Sequence, residues 1–344
     1  MKRWTLSLVI VASLLLAAGT SEAQVLNPAL AGSVKAKKIY RGSLLTYENI
    51  FSLRALDPGA EQSYTPYYAQ SITFAPQIWL RDDMFVSARM SVEVEVTDSQ
   101  WTDTKREPIL SDLFFNYMWL SAYRIPVVGI SISPTIRLRL PTSKTSQAQS
   151  MMFSIEPGVL FSKSFKLHKG TWFSSIALMY GFRVSPRFHE FETAQIDQVR
   201  CSAGGGAIDS AGGPTPTECL TSGVRNSKLR FANSFILRIN VHPKVFFTAS
   251  VALINDMLYE GSETEDQFGN PIPATEHNHN ALVSSSIVVT IPLMRWLFFS
   301  TGFTSFHNQL EPDSTRFVPL FNRNINFFFD VTIPIDKFVD LVSS

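Results

Sequence analysis

Thirteen ionisable residues fall at alternate positions of otherwise apolar stretches: Glu48, Arg54, Arg89, Glu93, Glu95, Asp112, Arg137, Arg139, Glu156, Arg183, Arg238, Asp256 and Asp330. Seven are acids, and all six bases are arginines, with lysine kept to turns and loops. The planar arginine fork pairs with carboxylates in crowded surroundings. Through the middle of the set the order is acid, acid, base, acid, base, which would let neighbouring segments form a ladder of ion pairs. Such a ladder either neutralises and stiffens an interior or lines a passage and selects solutes.

Reaction chemistry has less support. Of the six histidines, His168, His189, His242, His277, His279 and His307, most fall in expected turns or loops. His307 stands near Ser305, but no GxSxG nucleophile motif is present, and geometry must precede any triad assignment. The run Glu276-His277-Asn278-His279, with Glu263 and Asp266 nearby, reads as an exposed polar loop before it reads as a metal site. Gly204-Gly205-Gly206 lacks the strand and helix that flank a phosphate loop. No catalytic residue, metal ligand or cofactor is assigned, and the chain is read as a non-enzyme. Cys201 and Cys219 bracket a segment rich in Gly, Ser, Pro and Thr without CxxC spacing, which fits a disulfide closing a loop in an oxidising compartment.

The elements that position the charges read as strands. Residues 84–96, 130–140 and 325–333 alternate apolar and polar side chains one by one, the signature of a sheet with two unlike faces. Twelve segments of this kind are predicted, at 44–56, 67–80, 84–97, 109–124, 127–140, 151–165, 171–185, 230–242, 244–258, 281–292, 295–307 and 320–334. Their connections alternate in length. Short turns include 81–83, Ile125-Pro126, 166–170, Pro243 and Leu293-Met294, whereas 57–66, 97–108, 141–150, 186–229, 259–280 and 308–319 are long. Parity puts Ile136, Leu138, Phe235, Leu237, Phe327 and Phe329 on the face opposite the charges. Pro76, Pro134 and Pro157 fall inside strands, so each predicts a bulge, a bend or a break. Tyr67, Tyr68, Tyr117, Trp119, Tyr123, Trp172, Tyr180 and Trp296 are placed toward strand ends, as an interfacial aromatic girdle would require.

Charge and hydropathy narrow the class. Only 17% of the 344 residues are charged, against 45% hydrophobic and 12% aromatic. That balance excludes disorder, and a net charge of +1 offers no field for nucleic acid. Residues 1–23 read as a leader, with Lys2 and Arg3, an apolar stretch at 6–18, and small residues before a cut near Ala23. Removing Lys2, Arg3 and Glu22 takes 30 basic and 29 acidic residues to 28 of each. The most apolar later stretch, 287–303, is interrupted by Pro292 and Arg295, so no later segment suits a spanning helix.

Export, alternation and loop asymmetry together predict an all-β fold: a transmembrane antiparallel up-and-down β-barrel of about twelve strands, with long extracellular loops and short periplasmic turns. The alternative is a secreted soluble β-sandwich or solenoid. With its leader, its strand ends Val289-Thr290-Ile291-Pro292-Leu293 and Val331-Thr332-Ile333-Pro334-Ile335, and the stretch Arg137-Leu138-Arg139-Leu140-Pro141-Thr142-Ser143, the chain resembles proteobacterial outer-membrane β-barrel proteins. The last stretch is similar to one in the porin-like proteins of aromatic-degradation operons. Members of that class often end on an aromatic residue. This chain runs on to Ser344, which shifts the expected assembly signal to the internal strand at 327–333.

The expected organisation is a signal peptide at 1–23, a periplasmic tail at 24–43, a barrel at 44–335 and a second periplasmic tail at 336–344. The resemblance implies a bacterial outer-membrane location, contacts with membrane lipid and lipopolysaccharide, delivery by the barrel-assembly machinery, and no nucleic-acid partner. The leading functional reading is a porin-like passive channel for small solutes with an Arg/Glu-lined lumen. A non-conducting barrel for structure, adhesion or surface display is the alternative, and a membrane-embedded hydrolase ranks third.

Overall fold

The computed structural model describes residues 38–53, 67–97, 105–167, 173–193, 225–242, 245–260, 264–265, 271–272, 278–309 and 325–342. The leader, Arg54, Trp172, Cys201, Cys219 and residues 194–224 of the longest loop lie outside them.

Alternation becomes a wall of twelve strands. They are β1 (Leu44–Ser52), β2 (Tyr68–Ala75, continued by Gln77–Trp79), β3 (Met84–Glu95), β4 (Leu113–Trp119), β5 (Ser131–Leu140) and β6 (Met151–Lys166). The second half comprises β7 (Ser175–His189), β8 (Ser227–His242), β9 (Val245–Leu258), β10 (His279–Met294), β11 (Leu297–Asn308) and β12 (Ile325–Pro334). Each strand pairs antiparallel with its neighbours in sequence, and β1 pairs with β12 from Leu44↔Pro334 to Ser52↔Asn326. The sheet is therefore a closed up-and-down barrel with no free edge.

A strict period of two means that a one-residue slip would turn every side chain to the other face. The register sets charges opposite one another on neighbouring strands: Glu48 faces Asp330, Arg137 faces Glu156, and Arg230 faces Asp256. The opposite parity leaves large apolar side chains on the outside, with Ile72 54%, Ile136 52%, Leu178 50% and Phe235 50% exposed. Exposed apolar side chains thus recur on the outer face of neighbouring strands.

Departures from regular strands have local causes. Pro76 splits β2, and the amide of Ala88 donates to its carbonyl at 3.0 Å. Pro134 and Pro157 keep register instead, opposite Val159 and Ile136, with neither the bulge nor the break that were among the expectations there. The β6–β7 ladder skips from Arg183↔Gly158 to Arg187↔Ser154 without a shift, a gap that contains Pro157 and Pro186, both lacking an N–H. The strand expected over 109–124 is broken twice, at Ser111-Asp112 and at Leu120–Ala122, where Ser121 takes a φ of 48°. Two of its outer pieces, Pro108–Leu110 and Tyr123–Arg124, pair with β3 and β5. Lysine is not confined to turns, because Lys163, Lys166 and Lys228 lie near strand ends.

Two helices among the described residues sit at opposite ends of the barrel. Helix α1 (Lys144–Ala148) occupies the loop after β5, with Ser143 as its N-cap. Residues expected to be a plain tail form α2 (Ile335–Val342) at the end with short turns, the turn end. The amide of Ile335 donates to the Ser43 carbonyl at 2.9 Å, Lys38 pairs with Asp340, and Phe338 meets Trp296 edge to face at 5.6 Å between ring centres.

Inward apolar residues thicken the wall near the turn end. Trp79, Phe85 and Met118 form one buried cluster, and Leu44 and Phe298 form another. The Trp79 indole donates to the Arg41 carbonyl at 2.8 Å, and the Arg41 guanidinium lies 3.8 Å from its ring centre.

Candidate functional site in the charged lumen

The residues of inward parity meet in the lumen. Twelve of the thirteen expected residues are described: the register places eleven of them on one face of the sheet, and Asp112 lies between two strand pieces, within reach of Arg139. The structure sorts them by sign. One arc of the wall, β12 through β3, carries Glu48, Glu93, Glu95 and Asp330 with Arg89. The facing arc, β4 through β9, carries Arg137, Arg139, Arg183 and Arg238 with Asp112, Glu156 and Asp256. Between the arcs, β10 and β11 present hydroxyls, with Ser284 and Ser286 buried and Thr290 Oγ1 donating to Ser300 Oγ at 3.1 Å.

The ladder expected from the order of signs forms in the second arc. Arg139 Nε donates to Asp112 Oδ2 at 2.6 Å. Glu156 Oε2 lies between two arginines on either side, 3.6 Å from Arg137 and 3.9 Å from Arg183. In the first arc, Tyr67 Oη donates to Glu93 Oε1 at 2.6 Å, and Thr97 Oγ1 donates to Glu95 at 3.1 Å. Tyr67 is thus inside the barrel and not in an outer girdle. Tyr180 also departs from the girdle, lying mid-strand on the outer face between Phe161 and Phe235.

Two arginines escaped the expected set. Arg230 binds Asp256 through Nε and Nη2, each at 2.6 Å. It shares the parity of Arg238, which was the signal available. Arg187 shares the parity of Arg183, but Pro186 reads as the end of that strand when β7 in fact runs to His189. With these two, six arginines stand against three carboxylates in the second arc.

The arginines surround a cavity of about 370 Å³ lined by Arg137, Arg139, Arg183, Arg187 and Arg230. A second cavity of about 430 Å³ lies toward the turn end, lined by Ser131, Ser133, Ser162, Ser164, Lys163 and Arg124 among others. Met118 and Leu160 line both, so the two spaces meet at an apolar waist.

Ser305 is fully buried, so its hydroxyl, two residues from His307, is closed to a substrate. His277 lies outside the described residues, and no group of three or more metal-ligating side chains occurs among those described.

The fold and its inward charges define a closed twelve-stranded antiparallel barrel with a polar, charge-sorted interior. No protein-family model matches the sequence, and no curated protein matches it. In structure the chain is similar to an outer membrane channel from Pseudomonas putida F1, at 8% identity and a TM-score of 0.46, over 88% of this chain and 99% of that one. It is also similar to the NanC porin, at 8% identity and a TM-score of 0.43, and to the KdgM porin, at 6% and 0.39. Each of those two covers 84% of this chain and 98% of its own.

Proposed function

We propose that this chain is an outer-membrane β-barrel that acts as a passive channel for small solutes. The observation that carries the proposal is the opposition of the two faces. The outer face exposes apolar side chains around the wall, and the inner face carries sorted charges along two cavities that meet at Met118 and Leu160. A wall of this kind suits hydrocarbon outside, because its exposed apolar side chains are unfavourable in water and the closed sheet pairs each strand with two neighbours. Twelve strands lie between barrels filled by side chains and barrels with a wide channel. The leader supports export with cleavage near Ala23. Lipid, lipopolysaccharide and the barrel-assembly machinery follow as partners, and Cys201 and Cys219 as a disulfide in the outer loop. Glu48, Arg54, Arg89, Glu93, Glu95, Asp112, Arg137, Arg139, Glu156, Arg183, Arg238, Asp256 and Asp330 form the proposed lining.

The experiment is planar-bilayer recording of the purified protein. Stepwise conductance is expected, and reversal potentials in a salt gradient should shift in the Arg137→Ala/Arg139→Ala double variant. Folded protein that gives no channels would transfer support to a non-conducting surface barrel, the reading that the apolar waist favours.

A further inference from the structure

We infer that the loop-end half of the lumen holds a binding site for a small anionic group, a carboxylate or a phosphate, centred on Arg187. The inference rests on the channel reading above and names the class of solute that pauses in the lumen. Four of the five arginines lining the 370 Å³ cavity are already matched. Arg137 and Arg183 share Glu156, Arg139 takes Asp112, and Arg230 holds both oxygens of Asp256. Those three carboxylates are thereby engaged.

Arg187 differs. It is only 8% exposed, it lines the same cavity, and its Nε has no hydrogen-bond partner among the described residues. Among the described residues no carboxylate oxygen lies within 4.0 Å of its guanidinium. A guanidinium does not shed its proton in a protein, so burial cannot be relieved by neutralisation. An anion in the cavity relieves it. Carboxylate and phosphate share the paired oxygens that match the arginine fork. Ser185, Ser234 and Ser284 line the same space, with the Ser234 hydroxyl donating to the Gly181 carbonyl at 3.3 Å. The volume suits a small molecule.

Isothermal calorimetry of the folded barrel in detergent, with inorganic phosphate and with acetate at constant ionic strength, tests the site without requiring conduction. Saturable binding of at least one probe is expected, and the tighter of the two identifies the ligand chemistry. In Arg187→Gln that binding should weaken about tenfold, the loss of one charged hydrogen-bonding group. Arg187→Lys keeps the charge without the fork and should fall between the two, which serves if Arg187→Gln does not assemble. Absence of saturable binding to the wild type, or unchanged affinity in the variants, overturns the site. Anion binding by a barrel that never conducts overturns the channel reading alone, and conduction without anion binding overturns only the site.

Discussion

Arg139 and Asp112 join neighbouring strands and a loop helix through one carboxylate. Arg139 Nε donates to Asp112 Oδ2 at 2.6 Å, and Ser146 Oγ of α1 donates to the same oxygen at 2.6 Å. The other oxygen, Oδ1, accepts the Ser143 amide at 3.0 Å, and the Ser143 hydroxyl in turn caps Ser146. Asp112 is buried, so these donors replace the water that its charge would otherwise need.

Removing that carboxylate leaves Arg139 without its principal partner and releases α1. Asp112→Ala should destabilise the barrel by about 3 kcal/mol, the usual penalty for stranding half of a buried pair. Urea unfolding in lipid vesicles, followed by tryptophan fluorescence, measures it. A shift within about 0.5 kcal/mol of zero, as for an ordinary surface change, would show that the hub holds nothing.

The waist between the cavities is apolar, and apolar constrictions limit the passage of ions and water. Met118→Ala with Leu160→Ala should roughly double single-channel conductance, and Leu160→Trp should cut it by about half. Equal conductance in all three proteins would place the narrowest point elsewhere.

Gly302 on β11 lies where a side chain has no room. A Cβ there would stand 1.9 Å from the Ile287 carbonyl oxygen, a backbone atom of β10 that cannot swing aside. Gly302→Ala should cost at least the 1–3 kcal/mol typical of an overpacked site, roughly. The fraction that migrates as a folded barrel on unheated gels reports it, and wild-type recovery would refute the close approach.

Helix α2 should dock in a pH-dependent way. Burial holds the Lys337 ammonium below the ordinary lysine range, with Asp336 opposing, while its side chain lies 5.1 Å from the Phe298 ring centre. The undocked helix therefore binds more protons than the docked one, and docking strengthens as pH rises from that lowered value toward 10.5. Lys38 has the opposite sign. Its hydrogen bond to Asp340 raises it, so its contribution is present below 10.5 and is lost as pH climbs through the raised value. A spin label at Leu341 should become less mobile as pH rises toward 10.5, and Lys337→Met should be immobile already at neutral pH. The same pH profile in both proteins would rule out Lys337 as the cause.

Much of the fold was legible because a strand has a period of two and a membrane-type wall has two unlike faces. The alternation over 84–96 and 325–333 placed β3 and β12 within two residues at all but the start of β12, and parity alone turned Glu93 and Asp330 inward. Breaks were less legible. Pro76 split its strand, whereas β5 runs on through Pro134 and β6 through Pro157 with only a gap in its ladder to β7; the outcome depends on the partner strands, and partners are not written in a single segment. Arg187 was lost for the same reason, because Pro186 looked like an end from within its own strand.

The sequence by itself determined the alternating strands, the shared parity of their charges and the separation of long loops from short turns, because these depend on local periodicity. Only the tertiary structure decided which charges meet. Closing the barrel set the acids of β12, β1 and β3 across from the arginines of β5, β7 and β8, fixed Glu156 between Arg137 and Arg183, and left Arg187 beside the cavity with no ion-pair partner among the described residues. Those relations depend on strand order and register around a closed circle, and a linear pattern carries neither.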